Sequence, residues 1–408
     1  MLLKKRAAFI AIKDAKAMLQ ETELQTDVVI IGAGVAGCIA ALALCDSYQV
    51  TLIDKSEMPE ERIGECLAPA ARRILQQLDL LTEFENQLVA NVLTPQHLHN
   101  AGLQISWGQS TPYVTDNLSN PDGLGWRLDR QVFESFLREK ALQRGVRCIW
   151  PAKLAHSEYQ GQRWQITLTQ LQQEQTINIA SQFVIDATGR EAHFAKKYTA
   201  RKQHDRLISC WATVANTIEN QLGSICATQN GWWYSAPLPN QRRVLAFQTD
   251  PDLLTKGLQR DTTLFTQHAQ CYANQAKILD VCQQPITLHG IVSANSTRLE
   301  CFAGQQWAAL GDAALSFDPI SSQGIFNAMA SAMQLADLMK KLEIVNKIEH
   351  DSQLQFKKLY QQQIEQIWHR YLDHKRYFYA QEQRWSNSPF WQRRQQPSSI
   401  KVYNSIYS

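Results

Sequence analysis

The segment Thr26–Lys55, TDVVIIGAGVAGCIAALALCDSYQVTLIDK, restricts the fold more than any other stretch of the chain. Val28–Ile31 is a short apolar, β-branched run of the kind that is buried on both faces of a parallel sheet. Gly32–Gly37 reads as a glycine turn, Cys38–Leu44 as a small-residue helix and Val50–Ile53 as a second strand. The unit is therefore βαβ, with GxGxxG at Gly32, Gly34 and Gly37 and an acid, Asp54, 22 positions after the first glycine. Gly32 permits the tight turn, Gly34 lets a pyrophosphate approach the backbone, and Gly37 lets helix and strand pack closely. The helix start offers free N–H groups and a positive dipole to phosphate, and Asp54 is placed to accept ribose hydroxyls. The expected ligand is a dinucleotide, FAD or NAD, bound by a doubly wound α/β domain.

Composition removes several other classes. A length of 408 residues leaves room for a second domain. Lys+Arg at 41 against Asp+Glu at 38 gives only +3, which argues against a nucleic-acid binder. No apolar run approaches the ~18 residues of a membrane span. Residues 1–25 begin with basic residues, but the apolar stretch Ala7–Ile12 is too short for a secretory signal, so they read as an amphipathic extension. The nine cysteines form no CxxC pair, which predicts no metal site and a reducing, cytoplasmic location. The 11 tryptophans remain to be placed.

Two later segments extend the pattern. Gln182–Arg190, QFVIDATGR, is an apolar strand ending in a glycine turn, and Trp307–Gly324, WAALGDAALSFDPISSQG, runs into the helical pattern IFNAMASAMQLADLMKKL. GAGVAG, ATGR and GDAALSFDPISSQG, in this order, resemble FAD-dependent aromatic hydroxylases and their relatives, the flavin-dependent halogenases and geranylgeranyl reductases. The resemblance spans about residues 26–340. It implies FAD as the cofactor, with Gly189 of ATGR and Asp312 on its ribose or ribityl side. It also implies that the turn Asp318–Gly324, including Pro319, Gln323 and Gly324, sets a helix start beside the flavin pyrimidine ring. Such a helix start stabilises the negative charge of reduced flavin. Glu61–Pro69, ERIGECLAP, resembles the family's strap over the isoalloxazine, which places Arg62, Gly64 and Glu65 near the ring. In WRLDR, Trp126–Arg130, the resemblance sets Arg130 near the pyrophosphate.

Within this superfamily, halogenases carry a lysine after the strap and a WxWxIP signature. This chain has no lysine between Lys55 and Lys140, and Trp232–Pro237 reads WWYSAP. Halogenation is disfavoured on both counts. His97 and His99 stand in the corresponding region, two apart on one strand face, where they would orient a substrate or take its proton. A hydroxylase would act through a flavin C4a-hydroperoxide shielded by aromatics, with Trp107, Trp126, Trp211, Trp232 and Trp233 as candidates and Glu65 as a further catalytic group. Each of these tryptophans reads equally as a core residue.

Lys375–Arg394, KRYFYAQEQRWSNSPFWQRR, resembles the C-terminal signature of LodB/GoxB-type flavoproteins, which mature cysteine tryptophylquinone amino-acid oxidases. The carrying residues are Tyr377, Tyr379, Glu382, Arg384, Trp385, Pro389, Phe390 and Trp391. The resemblance implies an FAD-dependent monooxygenase that hydroxylates a tryptophan of a precursor protein, with O2 and an external reductant, NAD(P)H or a reductase. A hydroxylase of a small aromatic metabolite and a non-catalytic maturation chaperone are the alternatives. From His369 to Lys401 there are seven Lys/Arg against two acids. Such a segment either docks an acidic partner surface or packs as a helix on the body. The expected organisation is an extension, 1–25; an FAD-binding domain, 26–95, 125–205 and 298–345; a mixed or antiparallel substrate sheet, 96–124 and 206–297; and a C-terminal helical segment, 346–408.

Overall fold

The computed structural model describes residues 24–89, 96–116, 118–172, 175–216, 222–272 and 286–395. The expected extension lies outside them apart from Leu24 and Gln25, which open the first strand. Strand Leu24–Ile31 lies at the centre of the main sheet, paired in parallel with Val50–Ile53 on one side and Thr176–Asp186 on the other. Arg147–Ile149 and Trp307–Ala309 continue the sheet in parallel outwards. On its other edge the long strand Thr176–Asp186 serves two further neighbours. Its first half pairs antiparallel with Arg163–Gln170, and its last residues pair in parallel with Trp307–Ala309. Val28, Val29 and Ile30 are fully buried, as expected for a strand covered on both faces.

Helix Val35–Leu44 crosses one face of this sheet and packs on helix Gly324–Leu342 and helix Arg130–Gln143. Only small and aliphatic residues fit so crowded a layer, and all of its residues but Ala36 are buried. The glycines at its start show how tight the joint is. A Cβ on Gly37 would lie 1.8 Å from the Gly32 carbonyl oxygen, and one on Gly32, at φ +108°, would lie 2.4 Å from the Ala187 carbonyl oxygen. Gly311 closes the joint from a third side, since its Cβ would lie 2.8 Å from the Ala36 methyl.

The second large sheet has seven strands, running from Thr287–Ser293 through Ile208–Ala215, Arg242–Thr249, Gly231–Leu238 and Gly223–Thr228 to Gly102–Ser106 and Tyr113–Asp116. It is antiparallel except where Gly223–Thr228 meets Gly102–Ser106. Alternation along GWWYSAPL sorts its side chains by face. Trp233 joins Phe247, Cys210 and Leu245 under helix Thr262–Gln270, whereas Trp232, Tyr234 and Ala236 point to the opposite side. Strand Gly125–Leu128 forms a three-stranded sheet with Cys66–Leu67 and His97–Asn100 and carries the strap residues beside the seven-stranded sheet.

Helix His350–Gln381, 32 residues or roughly 48 Å long, joins the two sheets. Its buried stripe is Phe356, Tyr360, Ile364, Trp368, Tyr371 and Tyr379, at helical spacing. Phe356 and Tyr360 cover the main sheet, where the Tyr360 hydroxyl donates to the Ala309 carbonyl at 2.7 Å. Tyr379 reaches the second sheet at Trp232. The short helix Pro389–Gln395 then folds back against the long one.

The joint yields a contrast between neighbouring glycines. Gly37→Ala is expected to abolish soluble folded protein. Gly34→Ala, whose Cβ would have only Glu134 within reach at 4.0 Å, is expected to cost about 1 kcal/mol or less. Expression yield and thermal unfolding of the two variants check this.

Candidate active site and cofactor groove

The groove begins at the glycine turn. Asp54 Oδ2 accepts the Ala33 N–H at 2.7 Å and Oδ1 accepts the Ser56 N–H at 2.8 Å, which binds the second strand's end to the turn. Buried Arg138 reinforces this joint: its guanidinium lies 3.1 Å from Asp54 and donates to the Ala33 carbonyl at 3.0 Å and the Ser56 carbonyl at 2.9 Å. Arg62 and Arg130 converge on one fully buried carboxylate, Glu134, at 2.8 and 2.5 Å. Arg130 also donates to the Gly64 carbonyl at 2.7 Å, so it touches the strap.

Across the groove, buried Asp186 accepts the N–H groups of Thr188, Phe194 and Ala195 at 2.9, 3.0 and 2.6 Å and shapes the ATGR turn. Asp312 is partly exposed with Arg190 Nε 3.5 Å away, and Arg190 is itself bonded to the Asn295 and Phe317 carbonyls. Pro319 opens a short turn in which Asp318 accepts the Ile320 N–H at 3.0 Å. Gln323 and Gly324 are exposed at the start of a 19-residue helix that has no side-chain cap. Added Cβ atoms at Gly189 and Gly324 would meet nothing within 4 Å. Gly34, Gly189 and Gly324 thus each leave their backbone almost clear of side chains, while the arginines and the uncapped helix start supply positive potential. These features fit a dinucleotide cofactor.

The strap places Glu65 in a buried polar cluster. Tyr234 donates its hydroxyl to Glu65 Oε1 in a short hydrogen bond. Arg127 donates to the Tyr234 oxygen at 2.9 Å, stands 3.7 Å from Glu65, and donates to Asn100 Oδ1 at 2.9 Å. Burial, then the Glu65 charge, pushes the Tyr234 hydroxyl well above its ordinary range and keeps it a donor. Burial likewise raises the Cys66 thiol against the opposing pull of Arg127. A cavity of about 30 Å³ lies beside Glu65, bordered by Ile63, Trp211, Arg130 and Arg242.

His97 is elsewhere. It is 1% exposed, stacked on Phe84 at 5.1 Å and edge-on to Phe133, with Nδ1 accepting the Asp129 N–H at 3.1 Å. His99 is exposed on the same strand. Phe84 and Phe133 cover one histidine and leave the other to solvent, so the two do not form a pair at the groove.

The five tryptophans that read either as pocket shielding or as core residues are dispersed. Trp126 packs on Phe84 and under Arg72, Trp211 stacks on His289 at 3.9 Å, and Trp233 faces helix Thr262–Gln270. Trp232 and Trp107 alone share a cluster, with Tyr379, Phe390 and Trp391 of the C-terminal signature. Within it, Tyr379 Oη accepts from Trp232 Nε1 at 3.1 Å and donates to Asp318 Oδ2 at 2.9 Å. Asp318 is fully buried, and burial raises its pKa although Lys375 opposes the shift. Trp391 Nε1 donates to the Thr228 carbonyl at 2.8 Å, and Glu382 accepts the Gly108 N–H at 2.8 Å.

The basic character of the segment is largely neutralised within the protein. Lys375 pairs with Asp205, Arg384 with Glu382, Arg393 with Asp252 and Arg394 with Asp250. Of the two expected roles, the structure favours packing on the body over display of positive charge.

Sequence reasoning missed Glu134, Arg138 and Arg127. Arg130, Glu134 and Arg138 recur at four-residue spacing on helix Arg130–Gln143, and three charges on one face of a helix whose Phe133, Phe136 and Leu137 are buried was the available signal. The partners of Arg127 lie too far along the chain to leave one.

This groove and its motifs define an FAD-dependent oxidoreductase. The chain belongs to the tryptophan halogenase family, whose sequence model matches residues 27–92 and 97–405. LodB of Marinomonas mediterranea, assigned as an FAD-dependent oxidoreductase, is 29% identical over 385 residues, covering 92% of this chain and 98% of that protein. The structure of the flavin-dependent halogenase CmlS superposes with a TM-score of 0.77 at 23% identity, over 93% of this chain and 69% of that one. That of QhpG, a peptidyl tryptophan dihydroxylase essential for tryptophylquinone cofactor biogenesis, gives 0.72 at 22% identity, over 93% and 80%. Among the described residues, no helix is long and apolar enough to cross a membrane.

His97 provides a pH prediction. Burial lowers its pKa from 6.5 to about 4, so between these values the unfolded chain binds a proton that the folded chain does not. Its contribution is complete above pH 6.5 and is lost as pH falls towards 4, at most about 3 kcal/mol. Denaturant unfolding of the wild type is expected to show this acid-side loss, and His97→Gln to show a flatter profile.

Proposed function

We propose that the protein is an FAD-dependent monooxygenase that hydroxylates a tryptophan side chain of a precursor protein during cysteine tryptophylquinone biogenesis in an amino-acid oxidase of the glycine or lysine oxidase type. The observation that carries this reading is how the C-terminal signature is built in. Tyr379 bonds both Trp232 of the sheet and Asp318 of the flavin-side turn, and Glu382 and Trp391 anchor the segment around it. That signature is the part of the chain that resembles flavoproteins maturing quinone-cofactor oxidases. The likeness to QhpG points the same way.

A protein-borne substrate is favoured over a free aromatic metabolite by the C-terminal signature and by the likeness to QhpG. The chain's own Trp107, Trp232, Tyr379, Phe390 and Trp391 pack together in one buried cluster.

Reduced FAD, when bound, supplies the oxygen-transfer chemistry, with O2 as co-substrate and NAD(P)H or a separate reductase as electron source. The protein's own residues do the rest. Arg62 and Arg130 would hold the cofactor's phosphates, and the helix start at Gly324 would favour negative charge at the pyrimidine end. Glu65 is the proton acceptor: Tyr234 occupies Oε1, and Oε2, which among the described residues has only the Gly64 N–H at 3.3 Å, takes the proton leaving the substrate ring. Core-bound His97 has no part in this step. The eight free cysteines among the described residues accord with a cytoplasmic site of action.

Co-expression of the oxidase precursor with Glu65→Gln or Asp312→Ala tests the reading. Both variants are expected to remain folded; Glu65→Gln is expected to lower quinone formation about 100-fold or more and Asp312→Ala to lower FAD occupancy. Normal maturation with either variant depleted of FAD would establish a holding role instead, and equally fast oxidation of free indoles would establish the metabolite hydroxylase.

A further inference from the structure

We propose that Glu134 is the positioning residue of the cofactor's phosphate clamp and couples that clamp to the strap carrying Glu65. The inference rests on FAD being the cofactor. Glu134 sits one helical turn after Arg130, with its carboxylate fully buried. Oε1 holds Arg130 at 2.5 Å and Oε2 holds Arg62 at 2.8 Å. The same Oε2 is the nearest atom to the bare face of Gly34, 4.0 Å from the position a Cβ would take. One carboxylate therefore fixes two guanidinium groups beside the glycine on which a pyrophosphate would rest.

Bare electrostatics alone argue against an acid here, because a negative charge beside a phosphate site repels the ligand. Its presence is accounted for by orientation. Arg62 is half exposed and extends from a strap of irregular structure, so without Glu134 its long side chain would sample many rotamers. Arg130 divides its guanidinium between Glu134 and the Gly64 carbonyl, and its Nε has no partner among the described residues. Gly64 has φ +103° and directly precedes Glu65, so Arg130 ties the strap to the clamp. Two arginines and one glutamate leave a net positive site in a fixed geometry. Phosphate then binds a preorganised fork instead of ordering one.

The two accounts predict opposite signs for one substitution. If Glu134 acts only through its charge, Glu134→Gln tightens FAD binding. If it positions the fork, Glu134→Gln weakens binding by about 10–100-fold, Glu134→Asp does so as well because the shorter side chain cannot reach both arginines, and tryptic cleavage after Arg62 accelerates in the apoprotein.

Titration of apoprotein with FAD, read by quenching of flavin fluorescence, measures the first effect, and timed proteolysis with mass mapping measures the second. Unchanged or tighter FAD binding in Glu134→Gln, with cleavage after Arg62 at the wild-type rate, would overturn the proposal. Should Glu134→Gln not fold, Arg62→Gln on the surface decides: a loss of affinity of about tenfold with a weaker salt dependence supports the clamp, and wild-type affinity contradicts it. Failure of the wild type itself to bind FAD would instead refute the cofactor assignment.

Discussion

Backbone touches backbone where the glycine turn meets the end of strand Thr176–Asp186, and the rest of the cofactor side is arranged around that contact. Gly32 lies against the Ala187 carbonyl, Gly37 against the Gly32 carbonyl, and Gly311 against Ala36. No side chain fits at these three points, so segments far apart in the chain are brought to one place at the strand ends. Ligands of open α/β sheets bind at such carboxyl ends. The glycines fall into two groups, since Gly32, Gly37 and Gly311 make the joint while Gly34, Gly189 and Gly324 keep the groove clear.

The C-terminal helix is the second determinant, because it makes the flavin-side turn dependent on the far sheet. Asp318 would be costly to bury alone. Tyr379 donates to its side chain, its N–H donates to Tyr371, and Lys375 stands 3.8 Å away. Burial raises the hydroxyls of Tyr371 and Tyr379 well above their ordinary range, so both remain protonated under physiological conditions. Movement of the helix would thus be felt at the turn that precedes Gly324. This is a physical reason for a signature near residue 380 to accompany motifs near residue 311.

The legible parts of the site were those written locally. Gly32 to Asp54 sits within one strand–turn–helix–strand passage, where spacing carries the geometry, whereas ATGR and the Asp312–Gly324 segment were readable only through the family resemblance. The Glu65, Tyr234 and Arg127 cluster was not legible, because its members come from a strap and two different sheets. Spacing put His97 and His99 on one strand face, yet it held no information on Phe84 and Phe133, which cover only the first. The two readings of the tryptophans stayed open for the same reason: alternation along the strand separates Trp232 from Trp233, but what lies over each face is decided by helices contributed from elsewhere. Charge counting at the C-terminus left docking and packing both open, and the partners Asp205, Asp250 and Asp252, each more than a hundred residues away, favour packing.

In the proposed function, the oxygen handled by this flavoprotein ends on a tryptophan of another protein. The most direct measurement is peptide mass spectrometry of the oxidase precursor after incubation with the holoenzyme and reductant under oxygen-18 gas. A tryptophan-containing peptide is expected to gain labelled oxygen in step with flavin reoxidation. Sustained flavin reoxidation with the precursor's tryptophans unlabelled would contradict it.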